Sequence, residues 1–325
     1  MYEKSLKYNI LFRLRQIFIH SASKMGMPFL PYLSYWHIKI TPPPMLYNTD
    51  NQYFAAIPNR GAGIGHQLAN WIAGYWFARI FELGFAHIPF SSEKWENFFE
   101  FGKGEVLLDN LVKQGYKVRR FPKFEENNIE SLALIKQIIA SYIGKKVVFV
   151  AEQDQSYQAQ YGVMNVIKDK FYCSSHRLQE RLQYNSNNYN IAIHIRRGDI
   201  MSDPNNPNLA MRFLANDYYE KILQQIIKRV TTPKAIHIYL FSQGSPKDYA
   251  EFEKFDNLHW CLDMSPQDSF AHMVFADLLI TSKSSFSYNP ALISNGIKVC
   301  PKNFWHLYPN TSDWIFADDY GNLLN

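Results

Sequence analysis

The sequence predicts an α/β protein whose second half is built on a parallel, Rossmann-like sheet. Short apolar runs recur at Ile191–Ile195, Ala235–Phe241, Leu258–Leu262, Asp277–Thr281 and Ile297–Cys300. Segments with helical spacing separate them, over 217–230, 268–275 and 284–294. The first run, Ile191-Ala-Ile-His-Ile195, is apolar almost throughout, as expected of a strand covered on both faces. Strand–helix alternation with right-handed crossovers then gives the sheet.

Taken in order, the chain starts with Leu6, Ile10, Leu14, Ile17 and Phe18 at helical spacing, with basic residues between. Lys4, Lys7, Arg13, Arg15 and Lys24 against Glu3 account for most of the net charge of +5. Such a helix either lies on an anionic membrane surface or packs as the first helix of the body. Arg13 and Arg15 break the apolar stretch, so it does not read as a secretory leader. No run of 18 apolar residues predicts a transmembrane helix. The rest of the chain is nearly neutral, which argues against nucleic-acid binding through a basic face. At 47% apolar and 16% aromatic residues, the 325-residue chain has material for two cores and is not disordered. Its three cysteines, Cys173, Cys261 and Cys300, are widely spaced and odd in number. They form neither a disulfide framework nor a zinc pattern, and a reducing, cytoplasmic setting is expected. The sequon Asn310-Thr311-Ser312 is weak evidence to the contrary.

Prolines in 27–36 and 41–44 predict an irregular connector. A strand is expected over 53–57. Gly61-Ala-Gly-Ile-Gly-His-Gln-Leu68 then reads as a glycine-rich turn feeding a long apolar helix over about 68–84. Gly63 and Gly65 either let backbone N–H groups approach a ligand at the helix start or serve a tight turn only. His66 stands where a dinucleotide fingerprint has its last glycine, which weighs against a nicotinamide site. Strands are expected at 85–90 and 146–151, a helix at 130–142, and polar loop or helix over 152–189. The turn-rich Asn185–Asn190 places the domain border. The expected parts are 1–45, helix and connector; 46–189, a first domain; and 190–325, a second domain with a tail able to return to the first.

Most of the chemistry is expected where the 191–195 strand runs into Arg196-Arg197-Gly198-Asp199. Open α/β sheets bind ligands beyond the carboxyl ends of their strands. Side chains alternate, so His194 and Arg196 share a face. Guanidinium groups there either meet an anion, phosphate above all, or pair with local carboxylates. Ser284, Ser285 and Ser287 lie at a second strand-to-helix junction beside Lys283. They read as a phosphate cradle or as ordinary helix caps. Two such strand ends in one sheet suit a diphosphate.

Together these pieces resemble the GDP-fucose-dependent fucosyltransferase superfamily. His194-Ile-Arg-Arg-Gly-Asp199 matches the family's His-x-Arg-Arg-x-Asp motif. Gly63-Ile-Gly-His-Gln-Leu68 is similar to the Gly-Leu-Gly-Asn-Gln-Met of the α-1,2 branch. Asp268 through Ser287 resembles that branch's acid, helix, strand and Asn-Ser-Ser/Thr-Phe-Ser, with Lys283 in place of Asn. Leu240-Phe-Ser-Gln243 approximates its Phe-Ser-Asp strand end, with Gln243 in place of Asp.

The resemblance implies two facing Rossmann-like domains of the GT-B glycosyltransferase type. It implies inverting, metal-independent transfer of fucose from GDP-fucose to a glycan hydroxyl, α-1,2 by branch, with no cofactor. Arg196 would hold the departing β-phosphate and Arg197 would support it. His194 and Asp268 would contact guanine, and Ser284, Ser285, Phe286 and Ser287 would line the diphosphate and fucose pocket. The turn at Gly63, Gly65, His66 and Gln67 would face the acceptor, and His66, Asp199 and Asp203 are candidates for a general base. The rival readings are a transferase for another nucleotide sugar and a non-catalytic sugar-binding scaffold. The basic first helix suggests work on an inner membrane face.

Overall fold

The computed structural model describes residues 6–27, 50–59, 61–122, 124–151, 162–175, 182–203, 205–305 and 307–324. The proline-rich connector and much of 152–181 lie outside the described residues. The chain forms two compact units. Unit 1 comprises residues up to 55 together with 77–86 and 108–151; unit 2 comprises 56–76, 87–107 and 152–325.

In unit 1, helix α1 (Leu6–Lys24) precedes strand β1 (Gln52–Ala56). Strands β2 (Gly84–His87), β4 (Lys117–Arg120) and β5 (Val147–Ala151) continue its sheet in the order β2-β1-β5-β4. The β1–β2 and β4–β5 pairs are parallel. The lysine- and arginine-rich β4 had no strand signal in the sequence, because Lys117 is exposed and the other three residues are only half-covered. On α1, Ile10, Leu14, Ile17 and Phe18 are all exposed. The apolar stripe read from the sequence is therefore open to solvent at these four positions.

Helix α2 runs over Ile64–Ile80, starting four residues earlier than its apolar content suggested. The division between the units falls within it, after Trp76. Short elements follow: α3 (Glu93–Phe99), β3 (Val106–Leu107), α4 (Leu108–Lys113), α5 (Ile129–Ala140) and α6 (Met164–Tyr172).

Unit 2 is organised on seven strands in the order β12-β11-β10-β9-β6-β7-β8. These are β6 (Tyr189–His194), β7 (Ile236–Ser242), β8 (Leu258–Leu262), β9 (Leu278–Ile280), β10 (Ile297–Pro301), β11 (Trp314–Ala317) and β12 (Leu323–Leu324). All the pairs are parallel except β11–β12. The last two strands extend this sheet, so the C-terminal tail stays in unit 2. Crossovers run through α7 (Pro207–Ala210), α8 (Asn216–Arg229), α9 (Pro266–Phe275) and α10 (Ser285–Ile293).

Strand β6 sits between β9 and β7, and its residues from Asn190 on are buried. Its alternation sorts the two faces. Ile191, Ile193 and Ile195 pack with Tyr218, Tyr219, Ile222, Leu223 and Ile226 of α8. Truncating one such isoleucine to alanine should cost about 2–5 kcal/mol. The opposite face carries the small Ala192 and then His194, beside Ser282 and Phe286. A polar site thus begins where the apolar packing of β6 ends.

Candidate functional site

Beyond the carboxyl ends of β6, β7 and β8, unit 2 holds a cavity of about 510 Å³, well within the usual range for small-molecule sites, roughly 300–1,000 Å³. His194, Ile195, Arg196 and Arg197 line it after β6, and Phe241, Ser242 and Gln243 at the end of β7. Asp263, Met264, Pro266 and Ser269 come from the end of β8 and the start of α9. Gly63, Ile64, Trp95 and Phe286 complete the wall.

Each lining group is held by the fold. Arg196 donates from Nη2 to Asp199, at 2.6 and 2.7 Å from its two carboxylate oxygens. The Arg196 side chain is 25% exposed and that of Asp199 63%. Arg197 donates to the Arg196 carbonyl at 2.8 Å and to Asn216 Oδ1 at 2.7 Å, and its guanidinium lies 4.6 Å from the Phe213 ring centre. Asn216, the first residue of α8, supplies this brace. The helix is preceded by Ala215, which makes no side-chain cap. Burial pulls the Arg197 pKa down, while Tyr219, Tyr249 and Glu251 oppose it. Gly198 has φ +72, and a Cβ there would lie 1.9 Å from Gln243 Oε1. Only glycine fits both the left-handed backbone and the approach of Gln243.

His194 is buried, with Nδ1 2.8 Å from Ser282 Oγ. Burial first, and the Arg196 charge second, pull its pKa down to about 3. It is a neutral imidazole at physiological pH, fit to exchange hydrogen bonds with a neutral ligand edge.

The serine junction divides its labour. Ser284 caps α10, accepting from the Phe286 N–H at 3.1 Å. Ser287 is fully buried and accepts from the Ser282 N–H at 3.2 Å. Of Ser284 to Ser287, only Phe286 lines the cavity. Lys283 pairs with Asp319 at 3.2 Å.

The glycine-rich turn has two functions. Gly63 precedes α2 and lines the cavity, with open space where a Cβ would stand. Gly65 is needed for packing: a Cβ there would lie 2.8 Å from the Ser285 carbonyl carbon, and its own carbonyl accepts from Asn289 Nδ2 at 2.6 Å. The starts of α2 and α10 are thereby pressed together beside the cavity. The positive dipole ends of both helices favour an anion there. Gln67 is engaged within the fold. It donates to the Ala62 carbonyl and Ser91 Oγ at 2.9 and 2.7 Å, and accepts from the Ser91 N–H at 2.9 Å.

Three further site candidates lie off the cavity wall. His66 is half-buried one position past Gly65. Asp203 is exposed on the loop after β6 and accepts from the Asn205 N–H at 3.2 Å. Asp268 accepts from Ser265 Oγ at 2.6 Å in the first turn of α9, while its neighbours Pro266 and Ser269 reach the wall.

Trp95 carried no signal in the sequence, because its placement depends on a distant brace. Buried His87 accepts from Trp71 Nε1 at Nδ1 (2.9 Å), which leaves Nε2–H to donate to Glu96 at 2.9 Å. Glu96 also accepts from the Phe90 N–H. Burial raises the Glu96 pKa, but the bond and charge of His87 and the Phe90 N–H outweigh it and leave it low. This network fixes α3 and hence Trp95. Asp263 and Met264 were equally silent; they lie beyond a strand end, where position alone confers the role.

The cavity thus brings together two guanidinium groups, a neutral histidine and the starts of three helices. Its charge and shape suit a phosphate-bearing ligand with an aromatic or sugar portion.

No family model and no curated protein matches the sequence. Solved structures do match in fold. The apo form of POFUT1 is similar at a TM-score of 0.50 and 14% identity, over 77% of this chain and 96% of that one. The chain has the GT-B glycosyltransferase fold, with two Rossmann-like units. POFUT1 in complex with GDP-fucose matches at a TM-score of 0.47 and 12% identity, over 81% and 100% of the two chains. The fucosyltransferase NodZ from Bradyrhizobium matches at 0.40 and 13%, over 75% and 93%.

Proposed function

We propose that this chain transfers fucose from GDP-fucose to a glycan hydroxyl, with inversion and without a metal. The observation that carries this is the convergence of Arg196, Arg197 and the α2 and α10 starts on one cavity. The motif resemblance supplies the donor, and POFUT1, whose fold the chain shares, is solved with GDP-fucose. The order of the motifs favours an α-1,2 linkage.

As the glycosidic bond breaks, positive charge grows on the sugar and negative charge on GDP. Fixed cations aimed at the β-phosphate stabilise that charge as it develops, without reorganisation. Arg196 takes this role, because its present partner is an exposed carboxylate that a phosphate can replace. Arg197, braced by Asn216 and Phe213, holds the loop. Neutral His194 and the groups at 263–269 receive the base. Asp199, freed from Arg196 by the phosphate, accepts the acceptor's proton.

The test is transfer from GDP-fucose to a panel of galactosides, with linkage analysis of products and a parallel run in EDTA. Arg196→Ala should lower the transfer rate by about a hundredfold or more, the equivalent of roughly 2.7–4 kcal/mol. Its thermal stability should stay close to wild type, because exposed ion pairs contribute little. Transfer retained in that variant refutes the assignment of Arg196. Turnover of GDP-mannose or a UDP-sugar but not GDP-fucose refutes the donor.

We also read α1 as resting on an anionic membrane, on the strength of its exposed Ile10, Leu14, Ile17 and Phe18 and the basic residues Arg13 and Lys24. Sedimentation with phosphatidylserine vesicles that is unchanged on deletion of residues 1–25 would end this reading.

A further inference from the structure

Arg212 and Trp305, at the same end of the unit 2 sheet, have no part in the nucleotide reading. Loop 302–313 leaves the carboxyl end of β10, which lies one strand from β9 and two from β6. Trp305 on this loop is 38% exposed, and the Arg212 guanidinium lies 4.8 Å from its ring centre. Arg212 belongs to the turn between α7 and α8 and is half-buried. Its Nε is enclosed and has no hydrogen-bond partner among the described residues. Burial and then the Arg196 charge pull the Arg212 pKa down, and only Asp199 opposes them. Asp199 is already bonded to Arg196 through both oxygens. Beside Arg212, Phe213 is 42% exposed and stacks with Arg197.

Two guanidinium groups, Arg196 and Arg212, therefore draw on one carboxylate that Arg196 already holds, and Arg212 lies next to two exposed aromatic rings. Aromatic faces take the C–H faces of sugar rings, and a guanidinium edge takes a carboxylate or phosphate through two N–H groups. Phe213, next to Arg212 in the chain, stacks on the cavity-lining Arg197, which places Arg212 beside the cavity. An acceptor anchored at Arg212 would then present a neighbouring hydroxyl toward the diphosphate end of the cavity.

We propose that Arg212, Trp305 and Phe213 form an acceptor subsite that selects an acidic sugar, a uronate or a sugar phosphate. The inference rests on the transferase reading, and its test separates the two. Calorimetric titration of the full chain, without donor, compares a uronate-terminated disaccharide, its methyl ester, the neutral parent and the corresponding sugar phosphate. The acid or the phosphate should bind about tenfold tighter than the ester and the parent. Whichever of the two binds tighter identifies the anion. Arg212→Gln should erase the difference, and Arg212→Lys should retain part of it. In transfer assays Arg212→Gln should raise KM for the acidic acceptor with kcat little changed.

Equal binding of acid, phosphate, ester and parent by the wild-type chain overturns the proposal. So does an Arg212→Gln variant that loses GDP affinity while keeping the acidic preference, since that makes Arg212 a third donor ligand. If GDP-fucose is not a substrate and yet the acidic preference follows Arg212, the transferase reading fails and the subsite stands.

Discussion

Gly198→Ala is the sharpest test of how the arginine loop is built. Two separate costs apply at this position. The backbone is left-handed, φ +72, which costs a residue with a Cβ about 1–2 kcal/mol. The added Cβ would also meet Gln243 Oε1 at 1.9 Å and Cδ at 2.7 Å. Gln243 is exposed and its amide end can swing away, so this second cost should stay near a further 1 kcal/mol. The sum, about 2–3 kcal/mol, corresponds to a fall in Tm of roughly 4–12 °C for a unit of this size.

The assay is thermal unfolding of four chains: wild type, Gly198→Ala, Gln243→Ala and the double variant. The double variant should recover the clash and keep the backbone cost, giving a coupling of about 1 kcal/mol. Hydrogen exchange at 196–201 should report the loosening locally. A Gly198→Ala chain as stable as wild type refutes the positive φ. Equal destabilisation with and without Gln243 refutes the packing of that side chain on the loop.

Two further outcomes are expected. His194 is held neutral with its pKa lowered to about 3, against about 6.5 in the unfolded chain. Its contribution to stability is fully present above pH 6.5 and is lost as pH falls toward 3, because unfolding then takes up a proton. Thermal unfolding of wild type against His194→Gln between pH 7 and 4 should show the wild type losing stability more steeply; parallel curves would contradict this. Among the thiols, Cys173 is exposed, whereas Cys261 and Cys300 are buried with their pKa pushed up to about 12 by burial. A thiol reagent under native conditions should label one cysteine quickly and the other two only on unfolding, and fast labelling of all three would refute the burial.

The sequence by itself determined the parallel strands of unit 2 and the arginines at the end of β6. Continuous apolar runs such as Ile191–Ile195 can be satisfied only by burial on both faces, and strand alternation then dictates which side His194 shares with Arg196. It could not show which members of each motif line the cavity. Gly65 and Gln67 belong to a ligand-type motif, yet one is consumed by the approach of α10 and the other by the Ser91 loop. Ser284 and Ser287 cap and brace, while Phe286 between them faces the cavity. Asn216 braces Arg197. Trp95, Asp263 and Arg212 carry no local signal, because what they do depends on neighbours tens to hundreds of residues away. Local order follows from propensity and periodicity, which short-range contacts enforce. A side chain's partner is settled only when distant segments pack, since hydrogen bonding and close approach act over a few ångströms of space rather than along the chain.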